Sequence, residues 1–162
     1  MFRMIFILAA LALQVQAGGV LARFEQGGKR DALVLPNAAF FVPAGGVATR
    51  FLEPGTVVAE LEGSVSVELR AQYAFQVEAE GEAELFVNGK PVLKFAGAGV
   101  SEVSKPVRLN KGTNTLSIRV TGQADGDTRF RLLWKSRNMA LPVPVPSDAL
   151  SFAEGDAQLA QQ

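Results

Sequence analysis

Four glutamates at every second position are the residues best placed to do chemistry in this sequence of 162 residues. Glu78, Glu80, Glu82 and Glu84 would all face one side of a continuous strand, with neighbours about 6.6–7 Å apart. Carboxylates in this arrangement could hold calcium, or two of them could act as the acid and base of a glycosidase. The alternative is a solvated strand face that a turn at Gly81 interrupts.

A second acidic group and several aromatic residues are further candidates. Asp125-Gly126-Asp127 could add oxygen ligands, but the same sequence is typical of a hairpin turn. Trp134 and Tyr73 could stack on sugar rings, although both lie on the apolar side of alternating segments, which favours the core. Phe40 and Phe41 adjoin a segment rich in Pro and Gly, where an exposed ring would form a binding platform.

The composition excludes much catalytic chemistry. The chain has no His and no Cys, which removes Ser-His-Asp and Cys-His catalysis, the usual zinc sites and disulfides. Its 16 basic and 16 acidic residues balance without a basic stripe, so nucleic acid is not expected as a partner. A short-looped chain of this length also offers little room for a catalytic sugar cleft. We therefore expect a protein that is not an enzyme.

The first 17 residues have the pattern of a signal peptide. Arg3 gives the positive start, residues 5–13 are continuously apolar, and Val15-Gln16-Ala17 fits a cleavage site. The apolar run is shorter than the ~20 residues that span a bilayer. This predicts cleavage after Ala17, a mature chain without a membrane span, and a secreted, periplasmic or cell-surface location.

Alternation of apolar and polar residues dominates the rest of the chain and predicts strands. Asn88-Gly89 is a strong hairpin signal, because a type I′ turn needs two residues with positive φ. No helical periodicity is sustained after residue 17. The prediction is an all-β fold, an antiparallel β-sandwich or β-barrel of about eight to ten short strands. These lie near residues 32–35, 47–52, 57–62, 64–70, 73–78, 83–88, 91–95, 105–109, 115–121 and 128–134.

The end of the chain departs from this pattern. Three prolines at alternate positions in residues 141–146 predict an extended strap along the edge of the domain. The last residues are polar. The predicted organisation is a signal peptide at 1–17, one domain at 18–152 and a flexible tail at 153–162.

Six short signals in order resemble the protective-antigen fourteen-kilodalton (PA14) domain, a β-sandwich module of secreted proteins. The resemblance covers about residues 19–152. Within the family, the chain is similar to the copies of the domain that occur in bacterial secreted proteins. The signals are Leu61-Glu62-Gly63, Tyr73-Ala74-Phe75, Leu85-Phe86-Val87-Asn88-Gly89-Lys90, Leu109-Asn110-Lys111-Gly112 with Leu116, Leu132-Leu133-Trp134, and the proline strap through Leu150.

The resemblance implies a secreted, non-catalytic binding module for a glycan or polysaccharide. The alternative is a structural or assembly module that docks on another secreted or cell-surface protein. The candidate ligand-binding residues are Glu78, Glu80, Glu82 and Asn88, with Glu80 and Asn88 as candidate ligands of calcium. Calcium-dependent members of the family carry Asp-Asp-Gly where this chain has Ala79-Glu80-Gly81, and this change in ligands weighs against calcium.

Overall fold

Alternating residues build twelve β-strands in the computed structural model, which describes residues 16–153 and residue 155. All pairings are antiparallel and join into one curled sheet, so the all-β prediction is confirmed. The strands are β1 (Gln16–Gly18), β2 (Val20–Gln26), β3 (Lys29–Leu35), β4 (Ala39–Val42), β5 (Val58–Val67), β6 (Ala71–Val87), β7 (Lys90–Val100), β8 (Val107–Leu109), β9 (Gly112–Thr121), β10 (Thr128–Ser136), β11 (Val143–Pro144) and β12 (Leu150–Ala153), with a 3₁₀ turn at Ser147–Ala149.

Two pairs of predicted strand segments are single strands in the structure. The segments predicted at 57–62 and 64–70 merge into β5, and those at 73–78 and 83–88 merge into β6. Each long strand contains a glycine, Gly63 or Gly81, that keeps its place in the ladder. The turn considered at Gly81 is therefore absent, and the glutamates of β6 do lie along one continuous strand.

Strand β6 belongs to both halves of the curled sheet, and Gly81 is where it changes partner. Its residues up to Glu80 pair with β10, and those from Glu82 onward pair with β9. Gly81 has a φ of 121°, and a Cβ atom there would lie 2.4 Å from the carbonyl oxygen of Thr121. Glycine is required here because it tolerates both the dihedral angle and the close backbone approach.

Strand β5 divides its partners in a similar way at Gly63. Residues 58–62 pair with β2, whereas Ser64 and Val65 pair with β12. A Cβ atom on Gly63 would lie 2.7 Å from the carbonyl oxygen of Ser151. These two glycines allow two long strands to bend and enclose a core between the halves of the sheet.

One hydrophobic core joins both halves. Phe75, Ile118 and Trp134 are all buried within it, as the alternation predicts. The Trp134 ring stacks on Tyr73 with ring centroids 4.6 Å apart, so the two rings pack against each other and do not form a platform for a sugar. The other large, fully buried side chains include Phe130, Leu61, Leu85, Leu109, Leu132 and Leu150.

The segment predicted as a strand at 47–52 forms turns instead, and this prediction is wrong. A buried glutamine at the end of β2 holds the segment in place. Gln26 donates from Nε2 to the carbonyls of Gly46 and Gly55, at 2.8 and 3.1 Å, and its Oε1 accepts from the amide of Ala48 at 2.9 Å. The loop thus obtains from one side chain the hydrogen bonds that a strand would obtain from a neighbour.

The proline strap lies along the edge of the sheet, as predicted. Val143 and Pro144 pair with Trp134 and Leu133 of β10. The amide of Val145 then donates to the carbonyl of Leu132 at 3.2 Å, and its side chain is buried in the core. Proline is tolerated at such an edge because its missing donor would face away from the ladder.

Both ends of the predicted organisation fall largely outside the described residues. The signal peptide lies outside them except for Gln16 and Ala17, and the tail except for Ala153 and Gly155. Gln16 and Ala17 belong to β1, so the predicted cleavage would remove two of its three residues. Signal peptide, cleavage position and tail remain predictions. Within the described part of the chain, no helix is both long and apolar enough to cross a membrane.

A buried asparagine joins two turns at one end of the sheet. The Asn114 Oδ1 accepts from Asn88 Nδ2 and from the amide of Asn110, at 3.0 and 2.9 Å. Its Nδ2 donates to the carbonyls of Asn110 and Gly112, at 2.9 and 3.2 Å. Asn114 is 1% exposed, so each of these bonds lacks competition from water.

We expect Asn114→Ala to lower the free energy of unfolding by about 2–3 kcal/mol, because several buried polar groups lose their partner. Urea denaturation followed by circular dichroism measures the loss. Thr113→Ala, at an exposed neighbouring position, is the control and should change stability by less than about 0.5 kcal/mol. Equal effects for the two variants would contradict the role of Asn114.

Gly81→Ala should cost at least about 2 kcal/mol more than Gly99→Ala, measured in the same way. Gly99 is the matched control because its φ is 119°, but a Cβ atom there would meet nothing within 4 Å. The difference between the two therefore isolates the clash with Thr121 from the strain of the dihedral angle. A difference near zero would show that the strand crossing at Gly81 is not tight.

Candidate functional site

Three neighbouring strands bring charged and aromatic side chains together on the outer face of the sheet. Phe41 of β4 lies opposite Arg129 of β10, and Arg129 lies opposite Glu80 of β6. In the next row, Arg131 lies opposite Glu78. We call these five residues the charged face. Adjacent strands are about 4.8 Å apart, so the row from Phe41 to Glu80 spans about 10 Å.

Loose ion pairs connect the charged face. Glu78 lies 3.6 Å from a guanidinium nitrogen of Arg129 and 3.5 Å from one of Arg131, and Glu80 lies 3.9 Å from Arg129. These distances are longer than good hydrogen bonds, and surface pairs of this kind add little stability. The guanidinium and carboxylate groups therefore keep donors and acceptors available to a ligand.

Phe41 supplies the apolar part of the charged face. Its ring is 53% exposed, and the Arg129 guanidinium carbon lies 5.4 Å from the ring centroid. Phe40 points the other way, and its ring centroid lies 5.2 Å from that of Phe24 in the interior. Of the two rings considered as a platform, the structure thus exposes Phe41 and packs Phe40 inside.

The glutamates beyond Gly81 are not part of the charged face. Glu82 is exposed and pairs in register with Thr121 and Ala96. Glu84 lies 2.7 Å from the ammonium of Lys94, and this hydrogen-bonded cation lowers the pKa of Glu84. The four glutamates therefore share one side of β6, but only Glu78 and Glu80 lie beside β10. Glu84 instead contacts Lys94 of β7, which pairs with β6 on both sides of Gly81.

Asn88 has a structural position. Its φ is 49°, as the turn between β6 and β7 requires. Its Nδ2 donates to Asn114, and its Oδ1 accepts from the amide of Thr115 at 2.9 Å. The side chain therefore ties the turn to the start of β9 and is already occupied on both of its polar atoms.

The structure does not bring Glu80 and Asn88 together. They are eight positions apart, about 26 Å at the rise of an extended chain, so one ion cannot contact both. Among the described residues, no group of three or more His, Cys, Asp and Glu side chains could hold a metal ion. Asp127 instead accepts from the amide of Ala44 at 2.8 Å. The calcium site that the resemblance implies does not fit these residues.

Arg129 and Arg131 are site residues that the sequence did not single out. Their acidic partners lie about 50 positions earlier in the chain, on a strand whose pairing no local pattern reveals. The available signal was weak: two arginines at alternate positions in a strand whose other side is buried.

Comparison with solved structures identifies the fold. A PA14 sugar-binding domain from an RTX adhesin has a TM-score of 0.68 at 16% identity and covers 84% of this chain and 99% of that one. The epithelial adhesin 6 A domain from Candida glabrata, in complex with Galβ1-3GlcNAc, has a TM-score of 0.64 at 10% identity, with 87% and 89% coverage. An anti-sigma factor domain-containing protein from Clostridium clariflavum has a TM-score of 0.73 at 14% identity, and the match covers 85% of this chain and 48% of that one.

No protein-family model and no curated protein sequence matches this chain. The likeness to solved structures therefore establishes a PA14-like fold, in agreement with the resemblance of the sequence motifs. At these identities it carries no ligand or residue role, which must come from the charged face.

We expect calcium to leave the melting temperature unchanged to within about 1 °C at about 5 mM, a concentration that fills extracellular calcium sites of ordinary affinity. Differential scanning fluorimetry with and without a chelator measures this. The reason is that Glu78 and Glu80 already pair with arginines, while Asn88 lies too far from Glu80 to share an ion with it. A saturable rise in melting temperature that Glu80→Gln abolishes would contradict the assignment.

Proposed function

We propose that this protein is a secreted, non-catalytic module that binds a glycan through the charged face. The observation that carries the proposal is the exposed Phe41 ring in the same row as Arg129 and Glu80. Sugar rings have an apolar face that stacks on aromatic side chains and a rim of hydroxyls that bond to charged planar groups. The face offers both elements side by side.

The fold agrees with this role. Two structures of the same fold are named as a sugar-binding domain and as an adhesin domain in complex with a disaccharide. The proposal differs from a calcium-dependent site, since it uses the arginines of β10 where carboxylates around a metal would otherwise orient the sugar. The signal-peptide pattern of residues 1–17 supports export to the periplasm, the cell surface or the medium.

Binding without catalysis follows from the openness of the face. Glu78 and Glu80 lie on a strand in the middle of a sheet, and the half-exposed Phe41 lies two strands away in the row of Glu80. A glycosidase encloses the sugar ring so that its two carboxylates act on opposite sides of the bond. On this face both carboxylates would contact the same side of a bound sugar.

We expect Phe41→Ala to weaken glycan binding about five- to thirtyfold, because the lost stacking is worth ~1–2 kcal/mol. A glycan array identifies the ligand, and isothermal titration calorimetry measures the variant. Phe51→Ala is the matched control, since Phe51 is also exposed and the Arg50 guanidinium lies 4.7 Å from its ring centroid. Its affinity should equal that of the unaltered protein.

Two outcomes would contradict the proposal. One is a glycan array that is silent with the intact protein. The other is equal binding by the Phe41→Ala variant and the unaltered chain. A silent array together with specific capture of one secreted protein would instead support the alternative role as an assembly module.

A further inference from the structure

Three arginines line a cleft at the start of β6, at the opposite end of that strand from the Asn88 turn. The cleft has a volume of about 590 Å³, and its walls include Arg70, Arg108 and Arg137 together with Gln72 and Asn138. All five residues are exposed at its rim. None of them belongs to the charged face.

The pairing of the strands explains why these side chains converge. Gln72 of β6 lies opposite Arg108 of β8. On its other side, Tyr73 lies opposite Ser136, so the next residue of the chain, Arg137, flanks Gln72. The backbones of Arg108 and Arg137 are therefore two strand spacings apart, about 10 Å, which is within the reach of two arginine side chains toward one ligand.

The charges of the cleft lack compensation from the protein. In the part of the chain that the structure describes, no carboxylate lies within 4 Å of the guanidinium nitrogens of Arg70, Arg108 or Arg137. By contrast, Arg23, Arg30, Arg129 and Arg131 all have such partners. Three like charges around one cleft repel each other, and an anion that sits between them removes this repulsion.

Arginine favours one kind of anion. Its planar guanidinium offers a fork of donors that matches two oxygens of a sulfate, phosphate or carboxylate group. Gln72 and Asn138 add neutral donors and acceptors to the same cleft. The cleft therefore suits an oxyanion carried on a polar, hydroxyl-rich molecule better than an apolar ligand.

We propose that the cleft binds the sulfate or carboxylate groups of an anionic polysaccharide. This inference rests on the proposed function, because it takes the ligand to be a glycan. The cleft and the charged face are connected: the outer side of β10 carries Arg129, Arg131 and Lys135 before Arg137 follows the strand. Arg131 and Arg137 are six residues apart, about 20 Å, so one extended chain along β10 reaches both sites.

The test compares polymers that differ only in charge, or in the kind of charge. Dextran sulfate, carboxymethyl dextran and neutral dextran are offered to the whole protein in affinity electrophoresis. The cleft variant combines Arg108→Gln with Arg137→Gln. The control variant combines Arg30→Gln with Lys90→Gln, and it removes the same number of charges from exposed positions away from the cleft. All four positions are exposed, and circular dichroism verifies that each variant is folded.

We expect the intact protein and the control to bind dextran sulfate or carboxymethyl dextran, and the cleft variant to lose about tenfold or more in affinity. The stronger of the two polymers identifies sulfate or carboxylate as the preferred group. Any binding of neutral dextran should be the same in the intact protein and in the cleft variant. The salt dependence of binding should also fall in the cleft variant, because fewer counterions are released.

Three results would overturn the inference: no binding of either anionic polymer, equal losses in the cleft and control variants, or equally strong cleft-dependent binding of DNA or of anionic lipid vesicles. Failure of the proposed function is a separate result. If Phe41→Ala leaves glycan binding intact while the cleft variant loses anionic binding, the cleft inference stands and the role of the charged face falls.

Discussion

The close passage of β6 past β9 at Gly81 is the constraint on which the rest of this structure depends. One strand of 17 residues serves both halves of the curled sheet, and it can do so only where a residue without a side chain lets it turn toward a new neighbour. The core, with Phe75 before the crossing and Leu85 after it, is enclosed because the same strand contributes to both sides.

The crossing also decides which residues can act together. Before Gly81, the outer side of β6 faces β10, so Glu78 and Glu80 meet arginines. After it, Glu84 meets Lys94 of β7. The array of four like charges is thereby divided, and Glu78, Glu80 and Glu84 each lie near a cation. What would be an acidic cluster on a flat strand becomes a mixed surface of hydrogen-bond donors and acceptors.

Sequence pattern could predict the fold because each strand buries one side, and this leaves a period of two that needs no knowledge of partners. It could also place the turn at Asn88 and the strap of prolines, which depend on local backbone preferences. The charged face could not be predicted, since it requires the register of β4, β10 and β6. Gln26 and Asn114 were missed for the same reason: their partners lie in distant turns.

The central claim is that a glycan binds at the charged face. A nuclear magnetic resonance titration that follows the backbone amides as glycan is added tests it most directly. The account predicts that shifts concentrate at Phe41, Arg129, Arg131, Glu78 and Glu80, on three strands that are separate in sequence and adjacent in space. Shifts confined to the loops at residues 43–57 and 122–127, with the amides of the charged face unmoved, would contradict it.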